Sequence, residues 1–71
     1  MNKEEIRSYL AEYGEKMREA RKNKKLAQWE VAMDIGVNQT IICYIEQGFY
    51  FPSEYVEQKL LKEYGIEKIG V

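Results

Sequence analysis

The 71-residue sequence predicts an all-α fold, a compact bundle of four to five short helices, and three observations carry that expectation. Apolar residues recur at alternating steps of three and four in several stretches. Capping residues stand where those stretches begin, and glycines where they end. The two-residue alternation of strands is absent, and the β-branched residues fall at helical spacing instead. A chain this short buries only about 60% of its unfolded surface. One domain spanning residues 1–71 is therefore expected, with no linker, internal repeat or low-complexity segment dividing it.

The first helix should run from about Lys3 to Lys22. Asn2 precedes it as a cap, with Glu5 at the third position, the pairing of a capping box. Ile6, Leu10, Tyr13, Met17 and Ala20 form its apolar stripe. Gly14 lies inside this span and costs roughly 1 kcal/mol relative to Ala, so two shorter helices broken there are the competing reading. A second helix is expected from about Gln28 to Ile35, with Val31, Ala32 and Ile35 on one face and Gly36 as its positive-φ stop. Its start is imperfect, because Glu30 stands at the acid position of a capping box whose cap is Ala27. Asn38 should cap a third helix from Gln39 to Gln47, with Ile42 and Ile45 turned to one side and Gly48 as terminator. The intervening Gly36 requires these two helices to cross steeply. Phe49, Tyr50, Phe51 and Pro52 form an aromatic loop, after which Ser53 caps a last helix carrying Val56, Leu60, Leu61 and Tyr64 and ended by Gly65.

Composition narrows function. Histidine is absent and there is one cysteine, so the commonest general base is missing and neither an internal disulfide nor a multi-thiolate zinc site can form. No enzyme, cofactor, metal or small-molecule ligand is expected. The longest strictly hydrophobic run, Ile41 to Ile45, is far below the ~20 residues of a membrane span. The amino terminus does not read as a signal peptide, which predicts a soluble cytoplasmic protein.

A net charge of -1 conceals segregation. Lys16, Arg18, Arg21, Lys22, Lys24 and Lys25 cluster with only Glu19 opposing them, whereas no Lys or Arg occurs between Leu26 and Gln58. That second stretch holds Glu30, Asp34, Glu46, Glu54 and Glu57.

Three segments carry a family resemblance: Leu26-Ala27-Gln28-Trp29-Glu30-Val31-Ala32, then Ile35-Gly36-Val37-Asn38-Gln39-Thr40-Ile41-Ile42-Cys43-Tyr44-Ile45-Glu46-Gln47-Gly48, then Pro52-Ser53. Together they resemble the Cro and lambda-repressor type helix-turn-helix family of DNA-binding domains over about Gly14 to Ile66. The joint spacing is far more specific than any single element. The resemblance implies a lambda-repressor-like bundle with residues 28–47 as the helix-turn-helix core and residues 1–13 as an amino-terminal helical extension.

It also implies roles. Residues 39–47 would be the recognition helix in the major groove, with the scaffold helix crossing the phosphate backbone. Carried over by position, Asn38, Gln39, Thr40, Cys43, Tyr44 and Gln47 form the outward face. Gln39 is the strongest base reader, since its amide matches adenine N6 and N7. Thr40 would pack on a thymine methyl, and Tyr44 would donate to a base or a phosphate. The plain alternative is that these are ordinary polar surface residues. Gln28 would bind a phosphate at the scaffold-helix amino terminus, and Lys24 and Lys25 would add ionic contacts. Trp29 stands where the family is usually polar, either reaching a phosphate or packing over the Lys24 and Lys25 stems. The resemblance also pairs Arg21 with Glu46 in a partly buried ion pair, where sequence alone would leave Arg21 as one more solvated cation.

Partners follow from the same residues. Double-stranded operator DNA and a homodimer are expected, and no membrane. The cation gap is unusual for a DNA reader and keeps a second expectation open, a protein-interaction module with the same fold that does not itself bind DNA. Phe49, Tyr50 and Phe51 either fold back onto the last helix or form a patch for a partner. Ile6 and Leu10, with Tyr9 and Tyr13, either cover the core or meet a second protomer. Cys43 on the outward face is read as a small residue rather than a redox switch.

Overall fold

A computed structural model describes residues 2–66 of the protein; Met1 and residues 67–71 of the expected domain lie outside that range. The described residues form four helices and no strand: α1 (Lys3–Asn23), α2 (Gln28–Ile35), α3 (Gln39–Glu46) and α4 (Glu54–Tyr64). A 21-residue helix is about 31 Å long, so α1 nearly spans the 34 Å long axis of a molecule 21 Å across in the other two directions.

Local chemistry sets the boundaries. Asn2 accepts the Glu5 N–H at 2.9 Å at the start of α1, Asn38 accepts the Thr40 N–H at 3.0 Å before α3, and Ser53 accepts the Val56 N–H before α4. At α2 only half of a capping box forms. The Glu30 carboxylate accepts the Ala27 N–H at 2.8 Å, while the alanine has no acceptor to return. Gly36 and Gly65 close α2 and α4 in the left-handed conformation. α3 stops one residue earlier than expected, at Glu46, with Gln47 as its cap.

Gly14 does not break α1. An added Cβ there would collide with the Ile45 carbonyl and lie 2.8 Å from the Glu46 carbonyl oxygen. The missing side chain thus lets α1 and the end of α3 touch backbone to backbone. Gly48 makes the complementary approach, since a Cβ there would stand 3.2 Å from Ala11 Cα and its φ is +78°. Two glycines therefore seat α3 against α1, and this contact overrides the helix-breaking tendency of Gly14.

The core unites all four helices: Tyr13 and Met17 of α1, Val31, Ala32 and Ile35 of α2, Ile42 and Ile45 of α3, Val56 and Leu60 of α4, closed by Ile66. Val37, Leu26 and Ala20 pack at its edge. Leu61, expected inside, is exposed, because Val56 and Leu60 already fill the inward stripe and Leu61 lies a further 100° round the helix. Tyr55 donates to the Ile35 carbonyl at 3.2 Å and Tyr64 donates to Asp34 at 2.9 Å, so both ends of α4 are tied to α2.

The aromatic loop divides. Phe51 folds inward, though onto α1 rather than α4, with ring centroids 5.2 Å from Tyr13 and 5.5 Å from Tyr9. Phe49 is 71% exposed and Tyr50 also faces solvent. Ile6 is exposed, whereas Tyr9 and Leu10 are half-buried, with the Tyr9 ring covering Tyr13 and Phe51, and no described residue of α1 before Tyr13 is fully buried. None of the described helices is long and apolar enough to cross a membrane.

Candidate nucleic-acid interface

Three residues, Gly36, Val37 and Asn38, separate α2 from α3. Gly36, at φ +89°, reverses the chain, Val37 packs against the core, and Asn38 starts the next helix. Ile42 and Ile45 then point inward, which turns Gln39, Thr40 and Tyr44 outward by helical periodicity. Gln28, Asn38, Gln39, Thr40 and Cys43 line one open depression of about 330 Å³. The structure thus brings together five of the residues that the sequence nominates, from the starts of α2 and α3.

Their polar groups differ in availability. Gln39 makes no side-chain hydrogen bond with any described residue, so its amide keeps both donor and acceptor for a ligand. The carbonyl oxygen of Asn38 is committed to the Thr40 N–H, which leaves its amino group outward. Gln47 donates to the Cys43 sulfur at 3.0 Å. Tyr44 is exposed and lies against Phe49, with ring centroids 6.4 Å apart. This contact closes the end of α3: Phe49 N–H donates to the Tyr44 carbonyl at 2.9 Å and Gly48 N–H to that of Ile45 at 3.1 Å, the paired bonds and apolar contact of a Schellman motif.

Behind this surface stands Glu46, whose side chain is 1% exposed. Arg21 donates to it twice, from Nε at 2.7 Å and from Nη2 at 3.0 Å, and gives Nη1 to the Leu26 carbonyl at 2.9 Å. The hydrogen bond with Glu46 holds the guanidinium even more firmly protonated than usual. Two further partners were not foreseen. Gln28 Nε2 donates to Glu46 Oε1 at 3.2 Å, and Arg18 Nε approaches the same oxygen at 3.7 Å. Gln28 therefore gives one of its two amide N–H groups to Glu46, a bond that fixes the start of α2 to the end of α3, and keeps the second N–H and its carbonyl oxygen. Arg18 carried a signal the sequence reading passed over: it lies one helical turn before the Arg21 position, on the same face.

The cations also sort themselves. Lys24, expected at the phosphates, turns to α4, where its ammonium lies 5.1 Å from the Tyr64 ring centroid and donates to the Glu63 carbonyl at 3.0 Å. A cation suits that carbonyl-rich helix end. Lys25 is exposed and holds φ +58°, the left-handed position of a second Schellman motif in which Leu26 N–H donates to the Arg21 carbonyl. Trp29 is 54% exposed and rims a separate depression with Glu30, Met33 and Asp34. Among the described residues no group of three or more Cys, Asp or Glu is placed to hold a metal ion. No protein-family model matches the chain, and no curated protein matches it.

Proposed function

We propose that the protein is a sequence-specific DNA-binding transcriptional regulator of the Cro and lambda-repressor type, acting in the cytoplasm as a homodimer on a short operator. One observation carries this reading: Asn38, Gln39 and Thr40 open α3 as exposed polar residues on the same surface as Gln28 at the start of α2, while the other side of both helices is locked into the core. In such an arrangement α3 enters the major groove amino end first and the start of α2 meets the backbone. The free amide of Gln39 pairs with adenine, the Thr40 methyl packs on thymine, and the Tyr44 hydroxyl meets a base or a phosphate farther along. The α2 amino terminus, Lys22 and Lys25 supply the phosphate contacts. With so few cations available, the salt dependence is shallow.

Exposed Ile6, Phe49 and Tyr50 support a two-fold contact that would set two α3 helices about 34–36 Å apart. Selection from random duplex DNA at low salt tests the reading, and a short enriched palindrome is the expected result. A second reading rests on the absence of Lys and Arg from residues 26–58 and on exposed Phe49: a helix-turn-helix-fold module whose partner is a protein. Failure to enrich any sequence would select it.

A further inference from the structure

Trp29 and Met33 stand one turn apart on α2, so their side chains adjoin. They are 54% and 73% exposed. Neither belongs to the core, neither caps a helix, and neither lines the depression at the start of α3. Between and beside them lie Glu30 and Asp34, and the four residues surround an open depression of about 350 Å³. The rim is acidic. Tyr64, hydrogen bonded to Asp34, is pushed up to about 12 by burial, by that bond and by the carboxylates of Asp34, Glu63 and Glu30. α2 contains no Lys or Arg, and Lys24, at the edge of this region, is held by the Glu63 carbonyl and the Tyr64 ring.

We infer that this face of α2 is a docking surface for a protein segment presenting an aliphatic side chain flanked by Lys or Arg. Tryptophan supplies a large rigid contact with a polar N–H, and methionine a pliable one, the combination enriched at the centres of protein interfaces. The carboxylate rim decides the sign of the partner's charge, because a like-charged rim is repelled and an opposite one is steered in. An aliphatic anchor fits the depression and the flanking cations reach Glu30 and Asp34. This surface is distinct from the proposed DNA-reading face, so its occupation stands or falls independently.

Trp29 is the single tryptophan of the chain, and its emission therefore reports this site alone. The full chain is titrated with a synthetic amphipathic helix built of Leu and Lys, with a Leu/Glu helix and a Lys/Ser peptide as controls, in the absence of DNA. A saturable blue shift with the Leu/Lys peptide and none with the controls is expected. Met33→Ala should weaken this binding about fivefold to tenfold. Asp34→Asn, which keeps an acceptor for Tyr64, should weaken it a few-fold and flatten its salt dependence, with circular dichroism showing both variants folded. The inference is overturned by any of three results: no response to the Leu/Lys peptide, an equal response to the Leu/Glu peptide, or affinity untouched by Met33→Ala. An emission shift that follows the chain's own concentration in parallel with sedimentation would also overturn it, by placing a second copy on this face.

Discussion

Replacing Glu46 with alanine strips four interactions at once: both Arg21 hydrogen bonds, the Gln28 bond and the Arg18 approach. The loss is larger than that of a surface ion pair, since the Glu46 side chain is 1% exposed and that of Arg21 is 15% exposed. Removing one partner of a buried pair costs about 3–5 kcal/mol because the other charge is left uncompensated. Arg21 keeps the Leu26 carbonyl and some contact with water, which places the expected loss near the lower end, about 3 kcal/mol. A domain of this size has roughly 4–10 kcal/mol of total stability, so the variant should be largely folded only under mild conditions. At about 4–8 °C per kcal/mol for a small domain, Tm falls by roughly 12–24 °C. Urea unfolding followed by circular dichroism measures the same quantity, with the midpoint moving by about 1–3 M at the slopes typical of small proteins. The double variant Arg21→Met with Glu46→Leu should recover much of the loss, because replacing a whole buried pair by apolar groups is often close to neutral. A midpoint change in Glu46→Ala worth less than about half a kcal/mol would refute the claim that Glu46 is the buried hub of this fold.

Gly14→Ala sets two effects against each other: helix propensity favours alanine by about 1 kcal/mol, while the new Cβ strikes the Ile45 and Glu46 carbonyls and overpacking costs about 1–3 kcal/mol. Net destabilisation is expected in a thermal melt, and a gain in Tm would mean that α1 and α3 are farther apart than described. Lys25→Gly should raise stability by about 0.5–1 kcal/mol by relieving the left-handed backbone, and Lys25→Ala should not; equal behaviour of the two removes the Schellman geometry as the cause. In alkali, burial pushes the Tyr13 hydroxyl up to about 12, helped by the charge of Glu57 and by Tyr9, and Tyr64 is raised similarly. Both groups stay protonated in the native state while an unfolded tyrosine ionises from about 10 upward, so stability is fully present below pH ~10 and declines until about pH 12. The Tyr13 share is at most about 3 kcal/mol. Tyr13→Phe should remove that share, and an unaltered alkaline unfolding profile would contradict it.

How much of this was legible in the sequence depends on how far each interaction reaches along the chain. Caps act within three residues, so Asn2, Asn38 and Ser53 located their helices directly, and the stops at Gly36, Gly48 and Gly65 followed from the backbone each requires. The pairing of Arg21 with Glu46 spans 25 positions and was reached only through the family resemblance. Gly14 was read as a weakness of α1 because its purpose lies on α3. The bond from Gln28 to Glu46 was not foreseen, because the carboxylate that receives it is 18 residues away. Leu60 and Leu61, or Phe49 and Phe51, are neighbours of equal hydrophobicity, and only the position of α1 and the core decides which turns inward. Lys24 belonged to a basic run by count, yet the carbonyl that holds it is 39 residues downstream. Where Trp29 faces depends on the packing of α2 against α3 and α4, which periodicity within α2 could not supply.

The central proposal is that the start of α3 reads bases while the cations at the end of α1 and just after it, Lys22 and Lys25, read only phosphate. Its most direct test is the affinity of Gln39→Ala for the enriched operator and for random duplex across a salt series, with the Lys22→Ala, Lys25→Ala double variant measured alongside. Gln39→Ala should lose about 1–3 kcal/mol on the operator, almost nothing on random DNA, and keep its salt slope. The lysine variant should weaken both DNAs alike and flatten the slope by up to about one unit per lost contact. Undiminished operator preference in Gln39→Ala, or equal losses on both DNAs, would contradict base reading by α3.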